Sequence, residues 1–307
     1  MTAELWRAAP DVSHLTATAQ AAAVLPDAER IARIRAERWI GYSRAREALA
    51  KLEELLTHPV RQRMPNLLLI GPTNNGKSML IEKFRRAHMV EPAPQAEADI
   101  IPVVTMQMPS DPSISRFYAL LLTRLGVPLH GRRKVVDLEG MALRVLRAVG
   151  IKVLVIDELH NMLAGNSSVR REFLNLLRFL GNELRVPIVG VGTREAYLAI
   201  RSDDQLENRF EPVILPLWQE GPELMALLAS YAASFPLRQR STLDQPALAA
   251  YILARTEGTI GEITMFLTRA AIAAIDSGEE ALTRKTLMLA EYASPSERWS
   301  MFEREIR

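Results

Sequence analysis

The fold of this chain is decided by one stretch, Gly71-Pro72-Thr73-Asn74-Asn75-Gly76-Lys77-Ser78. Two glycines that are separated by four residues and followed by lysine and serine form the pattern of a loop that wraps the phosphates of a nucleotide. The glycines allow tight backbone curvature and a close approach to phosphate oxygens. In such a loop Lys77 reaches the β- and γ-phosphates, and Ser78 offers its hydroxyl to Mg²⁺. We therefore predict that all eight residues bind the nucleotide.

The residues on either side of this loop give it a suitable setting. Asn66–Ile70 is an apolar run of strand length. Residues 78–88 follow, with apolar side chains spaced for one buried helix face. A loop between strand and helix aims backbone N–H groups and the positive end of the helix dipole at one point. The alternative is a chance match in a surface turn, which this setting disfavours.

An acidic pair ends a second apolar run. Residues 151–158 read Ile-Lys-Val-Leu-Val-Ile-Asp-Glu, and Val153–Ile156 suits a strand buried on both faces of a parallel sheet. Asp157 then stands at the carboxyl end of the strand, where open α/β sheets place their ligands. We predict that Asp157 holds Mg²⁺ together with Ser78, and that Glu158 is the general base for the attacking water. The alternative for an Asp-Glu pair is a solvated helix start.

The composition indicates a globular protein and excludes several kinds of chemistry. The chain has 307 residues, of which 48% are hydrophobic, so two domains with substantial cores are possible. Cysteine is absent, which excludes disulfides, thiolate nucleophiles and cysteine-ligated zinc. The five histidines show no metal-binding spacing. Because we find no apolar stretch of spanning length and no secretory leader, we expect a cytoplasmic protein without a membrane partner.

Basic residues are distributed unevenly along the chain. The formal net charge is only +2, so net charge alone does not argue for a nucleic-acid partner. Arginines nevertheless crowd residues 30–46 and recur along residues 170–178. Each cluster alone fits a solvated helix face, whereas several together fit a phosphate-backbone partner. Our candidates for DNA contact, chosen for the backbone and not for base recognition, are Arg132, Arg133 and Lys134, and then Arg116.

Hydrophobic periodicity predicts an α/β fold followed by helices. Residues 61–217 alternate strands and helices, which is typical of a parallel sheet with helices on both faces. Residues 218–307 follow helical periods and predict a small all-helical domain. Residues 1–60 are predicted to hold a loosely ordered arm over 1–26 and two helices. The predicted strands cover residues 66–70, 100–107, 153–156, 187–192 and 213–215.

Two further residues are candidates for chemistry at the nucleotide. Thr193 ends the strand that follows the Asp157 strand, where a hydroxyl can contact the γ-phosphate or the attacking water. It also fits an ordinary helix N-cap, and both roles are compatible. Arg209 precedes the last predicted strand and would normally be a surface residue. In a ring or filament it is the residue offered to a neighbour's nucleotide, with Arg201 as its competitor.

Together these features resemble an AAA+ ATPase, and more narrowly the TniB/TnsC group of transposition ATPases. Besides the phosphate loop, the resemblance is carried by residues 38–42 (Arg-Trp-Ile-Gly-Tyr), 63–66 (Arg-Met-Pro-Asn), 157–161 (Asp-Glu-Leu-His-Asn) and 189–193 (Val-Gly-Val-Gly-Thr). It covers roughly residues 27 to 275. The two nucleotide motifs are generic to many ATPases, whereas the strings at 38–42, 63–66 and 73–78 are similar to the TniB branch.

The resemblance implies an ATP-dependent regulator of DNA transposition. Such proteins assemble on double-stranded DNA as rings or helical filaments and connect a TniQ-type target selector to a DDE transposase. By this similarity Lys77 and Ser78 bind phosphate and Mg²⁺, Asp157 holds the metal, and Glu158 activates water. Thr193 would be the sensor-1 residue, and Arg209 the arginine supplied in trans.

The sequence departs from the AAA+ pattern at one position and leaves other functions open. Gly261 stands where the helical lid of many AAA+ proteins carries a sensor-2 arginine, so Arg255 is a candidate substitute. One alternative is a scaffold for which hydrolysis is incidental. Another is a generic AAA+ remodeller or loader that acts on proteins without touching DNA. A small-molecule kinase is a remote alternative, since we find no acceptor-substrate motif.

Overall fold

A computed structural model describes residues 11–95, 98–131, 133–163 and 167–306. The chain divides into two compact units, one formed by Arg44–Pro216 and the other by the described parts of Met1–Ser43 and Leu217–Arg307. This differs from the expectation of separate regions at 1–60, 61–217 and 218–307, because the N-terminal region is shared between the units. Its first helices, α1 (Ala17–Ala23) and α2 (Asp27–Arg35), belong with the C-terminal residues, while α3 (Ser43–Leu56) packs in the other unit.

The Arg44–Pro216 unit is built on a parallel sheet, as predicted. Its described strands are β1 (Asn66–Ile70), β2 (Val103–Gln107), β3 (Val153–Asp157), β4 (Ile188–Gly192) and β5 (Phe210–Ile214). They lie in the order β2-β3-β4-β1-β5, and every neighbouring pair is parallel. Every residue of β1 and β4 is buried, as expected for central strands covered on both faces. The carboxyl ends of β1, β3 and β4 therefore meet at one edge of the sheet.

Helices cover this sheet and complete its core. They are α4 (Lys77–Ala87), α5 (Ile114–Arg124), α6 (Val135–Ala148), a 3₁₀ helix (Leu159–Leu163), α7 (Ser167–Leu184), α8 (Arg194–Arg201) and α9 (Asp204–Glu207). Phe117 of α5 and Phe173 of α7 are fully buried and meet edge to face at 6.2 Å between ring centroids. Such aromatic pairs stabilise a core by about 0.5–1.5 kcal/mol beyond the area they bury.

The second unit is helical throughout its described residues. Its C-terminal part consists of α10 (Pro222–Ser234), α11 (Pro246–Thr256), α12 (Ile260–Asp276), α13 (Arg284–Leu289) and α14 (Pro295–Ile306). We did not predict α14, whose large apolar side chains, such as Trp299 and Phe302, are exposed. In the described residues no single helix has the length and apolarity to cross a membrane, and only α11 with α12, bent by 113°, passes that test as a pair.

The N-terminal helices join this unit through apolar and ionic contacts. We expected residues 1–26 to be a loose arm; residues 1–10 lie outside the described part, but α1 is a helix capped by the Thr16 side chain, which accepts a hydrogen bond from Ala19 N–H. Arg30 of α2 is fully buried and donates to both carboxylate oxygens of Glu280, at 2.7 and 2.6 Å. Arg38 lies 4.4 Å from the centre of the Phe235 ring.

These contacts correct part of the charge interpretation. Arg30 and Arg38 belong to the arginine-rich segment at residues 30–46, whose composition fits a phosphate-backbone partner. Arg30 is sealed inside an ion pair, and Arg38 donates to the Ser234 carbonyl at 3.1 Å. Both guanidinium groups therefore serve the folding of their own unit, and the segment is less available to an external partner than its composition indicated.

Candidate functional site

The phosphate loop connects the end of β1 to the start of α4. Asn74 and Gly76 adopt positive φ values of 58° and 81°, and these turn the chain so that α4 begins at Lys77. A Cβ atom on Gly71 would stand 2.8 Å from the Leu215 carbonyl oxygen, so this position admits no side chain without a shift of backbone. The loop thus leaves the N-terminal N–H groups of α4 free to face an anion.

Lys77 lies inside this loop. Its side chain is buried and its ammonium donates to the carbonyls of Gly71 at 2.9 Å and Pro72 at 2.7 Å. Burial lowers the pKa of Lys77, while the Glu158 and Asp157 carboxylates act in the opposite direction. The Lys77 ammonium is therefore fixed inside the loop, where both carboxylates act on it.

Ser78 and Asp157 meet across the sheet edge, as the sequence predicts for a magnesium site. The Ser78 hydroxyl donates to Asp157 Oδ2 at 2.9 Å, and Asp157 Oδ1 accepts the backbone N–H of Glu158 at 2.8 Å. A hydroxyl and a carboxylate are oxygen donors of the kind that Mg²⁺ prefers. Both residues line a cleft of about 610 Å³ between α4, α5 and the ends of β2 and β3. The donors present therefore fit Mg²⁺.

Glu158 follows Asp157 in a left-handed backbone conformation, with φ of 53°. This conformation is rare for a residue with a side chain and is typical of functional sites. Oε2 of Glu158 lies 3.1 Å from Nε2 of His160, and both side chains are about one-third exposed, at 36% and 29%. The spacing of the histidines gave no signal for this contact.

Thr193 immediately follows β4 and precedes α8. Although it occupies the N-cap position, its side chain makes no capping hydrogen bond and instead donates to the Glu195 carboxylate. That hydrogen bond is the main reason why the pKa of Glu195 is lowered. Thr193 thus stands at the edge of the sheet that holds the phosphate loop and the acidic pair. The Thr193 side chain therefore does not cap α8, and its contact with the nucleotide stays a prediction.

Arg209 lies at the amino-terminal ends of the strands, opposite the phosphate loop. It directly precedes β5, and its Nη1 donates to Asn182 Oδ1 at 3.0 Å. Because all strands are parallel and about 16 Å long at five residues each, this edge is remote from the phosphate loop of the same chain. Arg209, Arg61 and Arg63 line a cleft of about 790 Å³ there. Its competitor Arg201 is held by Glu207 at 2.7 Å.

The candidate DNA contacts are not all in one place. Arg132 lies outside the described residues. Arg133 and Lys134 are exposed immediately before α6. Arg116 lies in the first turn of α5, 3.4 Å from Asp111 Oδ2, and lines the same cleft as Ser78 and Asp157. The structure therefore places a basic side chain beside the candidate metal ligands.

Two more residues take roles that the sequence did not indicate. We predicted Asn75 only as part of the phosphate loop, but its side chain is buried and donates to the carbonyls of Leu215 at 2.8 Å and Pro216 at 3.0 Å. It therefore anchors the loop to the segment after β5. Arg255, the candidate sensor-2 substitute, donates to the Tyr292 carbonyl at 2.5 Å and to Glu297 at 2.6 Å. Its guanidinium is thus engaged within its own unit.

The sheet order and the phosphate loop together define the AAA+ fold of phosphate-loop proteins. A family model described as "Bacterial TniB protein" matches residues 30–220. Since this match spans more than half of the chain, the chain belongs to the TniB family. A search of curated protein sequences gave no match.

Solved structures support the fold. The ORC2 protein of Aeropyrum pernix, in its ADPNP-ADP complexes, is 18% identical with a TM-score of 0.57, covering 84% of this chain and 70% of that one. The ORC1 protein of the same organism, in complex with DNA, is 16% identical with a TM-score of 0.56, covering 85% and 68%. Cdc6p of Pyrobaculum aerophilum is 14% identical with a TM-score of 0.56, covering 87% and 71%. At these identities the similarity shows the fold alone.

Proposed function

We propose that this protein hydrolyses ATP at the site formed by the phosphate loop, Asp157 and Glu158. The observation that carries the proposal is the convergence of a buried ammonium, a hydroxyl–carboxylate pair and a second carboxylate at one sheet edge. The backbone N–H groups of the loop and Lys77 bind the phosphates, while Ser78 and Asp157 hold the metal. Mg²⁺, when bound, neutralises charge on the β- and γ-phosphates.

The reaction follows from the roles of these side chains. A water molecule attacks the γ-phosphorus, the bond to the β–γ bridging oxygen breaks, and ADP and phosphate leave. Glu158 accepts the proton of the attacking water as general base. Thr193 contacts the water or the γ-phosphate from the neighbouring strand end. The position of Arg209 at the opposite edge supports its action on the nucleotide of another copy, which makes the active form a homo-oligomer, either a ring or a helical filament.

The biological role that we propose is regulation of DNA transposition. Membership in the TniB family supports an assembly on double-stranded DNA, in the bacterial cytoplasm, that links a TniQ-type target selector to a DDE transposase. The DNA complex of the A. pernix ORC1 protein is a precedent for this fold on DNA. Arg116, Arg133 and Lys134, with Arg132, would contact the phosphate backbone with little sequence preference. The alternative is an AAA+ remodeller without direct DNA contact.

Steady-state ATPase assays test the enzymatic proposal. We expect Lys77→Ala to abolish ATP binding, and Glu158→Gln to retain binding while turnover falls by about 10²-fold or more. Lys152→Ala is a matched control, because Lys152 is an exposed lysine just before β3 at the far edge of the same sheet. Normal turnover by Glu158→Gln would remove the proposal.

Duplex-DNA binding across a range of salt concentrations distinguishes a regulator that assembles on DNA from a remodeller that does not contact it. Neutralised phosphates give a steep fall of affinity with salt, and the triple substitution Arg116→Ala, Arg133→Ala, Lys134→Ala should flatten that slope by about 0.9 for each lost contact. Arg144→Ala, an exposed arginine on α6, is the control. A salt-independent or absent affinity for DNA would favour the remodeller.

A further inference from the structure

Four polar side chains lie at the strand ends of this site and form what we call the polar cluster: Glu158, His160, Thr193 and Glu195. The proposed reaction uses Glu158 and Thr193 but gives no role to His160 or Glu195. His160 lies on the 3₁₀ helix that follows Asp157 and Glu158, and its Nε2 is 3.1 Å from Glu158 Oε2. The other half of the cluster is the hydrogen bond from Thr193 to Glu195. One half contains the candidate general base, and the other contains the candidate sensor.

The His160 ring lies beside the last residue of β4. A Cβ atom on Gly192 would lie 3.6 Å from both the backbone nitrogen and Nδ1 of His160, which is ordinary van der Waals distance. The ring therefore contacts Glu158 on one side and packs near the end of the strand that leads into Thr193.

The surroundings of the ring select one tautomer. Nδ1 of His160 is buried and has no hydrogen-bond partner within the described part of the chain. A proton on Nδ1 would be an unsatisfied buried donor, so the arrangement favours the tautomer that carries its proton on Nε2. That proton faces the Glu158 carboxylate. His160 can therefore donate a hydrogen bond to the base.

The Glu158 carboxylate also acts electrostatically on the lysine of the phosphate loop. Among the groups that act on the pKa of Lys77, Glu158 is the strongest of the carboxylates that oppose the effect of burial. One carboxylate oxygen contacts His160, and the carboxylate as a whole lies within the field of the loop lysine. A base fixed in this way loses little orientational freedom when nucleotide and water arrive.

We propose that His160 is a positioning residue for ATP hydrolysis, which orients the Glu158 carboxylate through Nε2. This inference rests on the proposed function, since it needs Glu158 to be the base. It deepens that function by adding a residue that acts through Glu158.

Single-site variants of the 307-residue chain test this role. We expect His160→Ala to lower kcat for ATP by about tenfold to a hundredfold, with little change in KM and in the Kd for a slowly hydrolysed ATP analogue. His160→Gln places an N–H donor near the position of Nε2, and should restore most of the lost turnover. In the Glu158→Gln background, His160→Ala should cause no further loss, because both changes act on the same step.

A matched pair elsewhere in the same unit provides the control. His88, at the end of α4, has its Nε2 2.9 Å from both carboxylate oxygens of Glu53, so it repeats the histidine–glutamate chemistry away from the site. His88→Ala should leave kcat unchanged, whatever it does to stability. Thermal unfolding of each variant shows whether a loss of turnover reflects a loss of folded protein.

The outcomes distinguish the inference from the function beneath it. If the unaltered chain hydrolyses ATP and Glu158→Gln abolishes turnover, but His160→Ala retains or raises kcat, the role of His160 is overturned while the ATPase stands. Equal losses for His160→Ala and His160→Gln with unchanged unfolding temperatures would also overturn it. If the unaltered chain shows no ATPase activity, the proposed function itself fails.

Discussion

Asn75→Ala tests whether the phosphate loop is held in shape by its own side chain. The Asn75 amide is buried and donates to two carbonyls, those of Leu215 at 2.8 Å and Pro216 at 3.0 Å. At about 0.5–1.5 kcal/mol for each hydrogen bond, the substitution should lower the free energy of unfolding by about 1–3 kcal/mol. Since the loop must be ordered to bind phosphate, a loss of the same size in binding corresponds to about a fivefold to 150-fold weaker affinity for nucleotide.

Two measurements on each variant separate stability from binding. Urea denaturation gives the free energy of unfolding, and titration with a fluorescent ATP analogue gives Kd. Asn66→Ala is the matched control, because Asn66 is a buried asparagine at the opposite end of β1 whose Oδ1 accepts Ile188 N–H at 2.9 Å. We expect the control to lose stability alone. If both variants lose similar stability and neither loses affinity, Asn75 does not shape the loop for binding.

Three further outcomes are expected. Arg30→Ala leaves the largely buried Glu280 carboxylate without its main partner and should cost about 3–5 kcal/mol of stability in urea denaturation, whereas a loss below about 1 kcal/mol would contradict the ion pair's role. Arg209→Ala and Glu158→Gln should each lack turnover. An equimolar mixture of the two variants should recover about one quarter of the wild-type rate, because that fraction of randomly paired interfaces joins an intact base to an intact arginine. If the mixture recovers no activity, Arg209 lies outside the site. Hydrogen bonds from Arg85, and then from Arg86, lower the pKa of Glu82 from 4.5 to about 2. The stability that Glu82 contributes should therefore be present above pH 4.5 and be lost as the pH falls toward 2. A Glu82→Gln variant with the same acid unfolding profile would refute this.

The sequence predicted the elements whose signal is a strong apolar pattern. The strand Asn66–Ile70 has the predicted bounds, because its unbroken apolar run is buried on both faces of the sheet. Helix α1 was missed because it has only seven residues and depends on tertiary contacts, such as the buried Ala19 and Ala23, for its stability. Helix α14 was missed because its apolar side chains are exposed and so mark no core.

At the site, the sequence predicted which residues converge but not how their side chains are held. Spacing and strand ends were enough to bring Ser78 to Asp157, since parallel strands deliver their carboxyl ends to one edge. The anchor made by Asn75 joins it to a carbonyl 140 positions away, and no local pattern encodes such a pair. The contact of His160 with Glu158 is local, but it depends on a left-handed backbone at Glu158 that the residue type does not favour.

The burial of Arg30 has a consequence for synthesis of the chain. Its partner Glu280 lies 250 positions later. At about 5–20 residues per second, a ribosome needs about 12–50 s to deliver that partner after Arg30 has emerged. Throughout this interval the guanidinium stays hydrated, so helix α2 is translated early and docked late. The contiguous stretch Arg44–Pro216 can meanwhile fold, which makes the nucleotide-binding half the first part of the nascent chain to reach its native form.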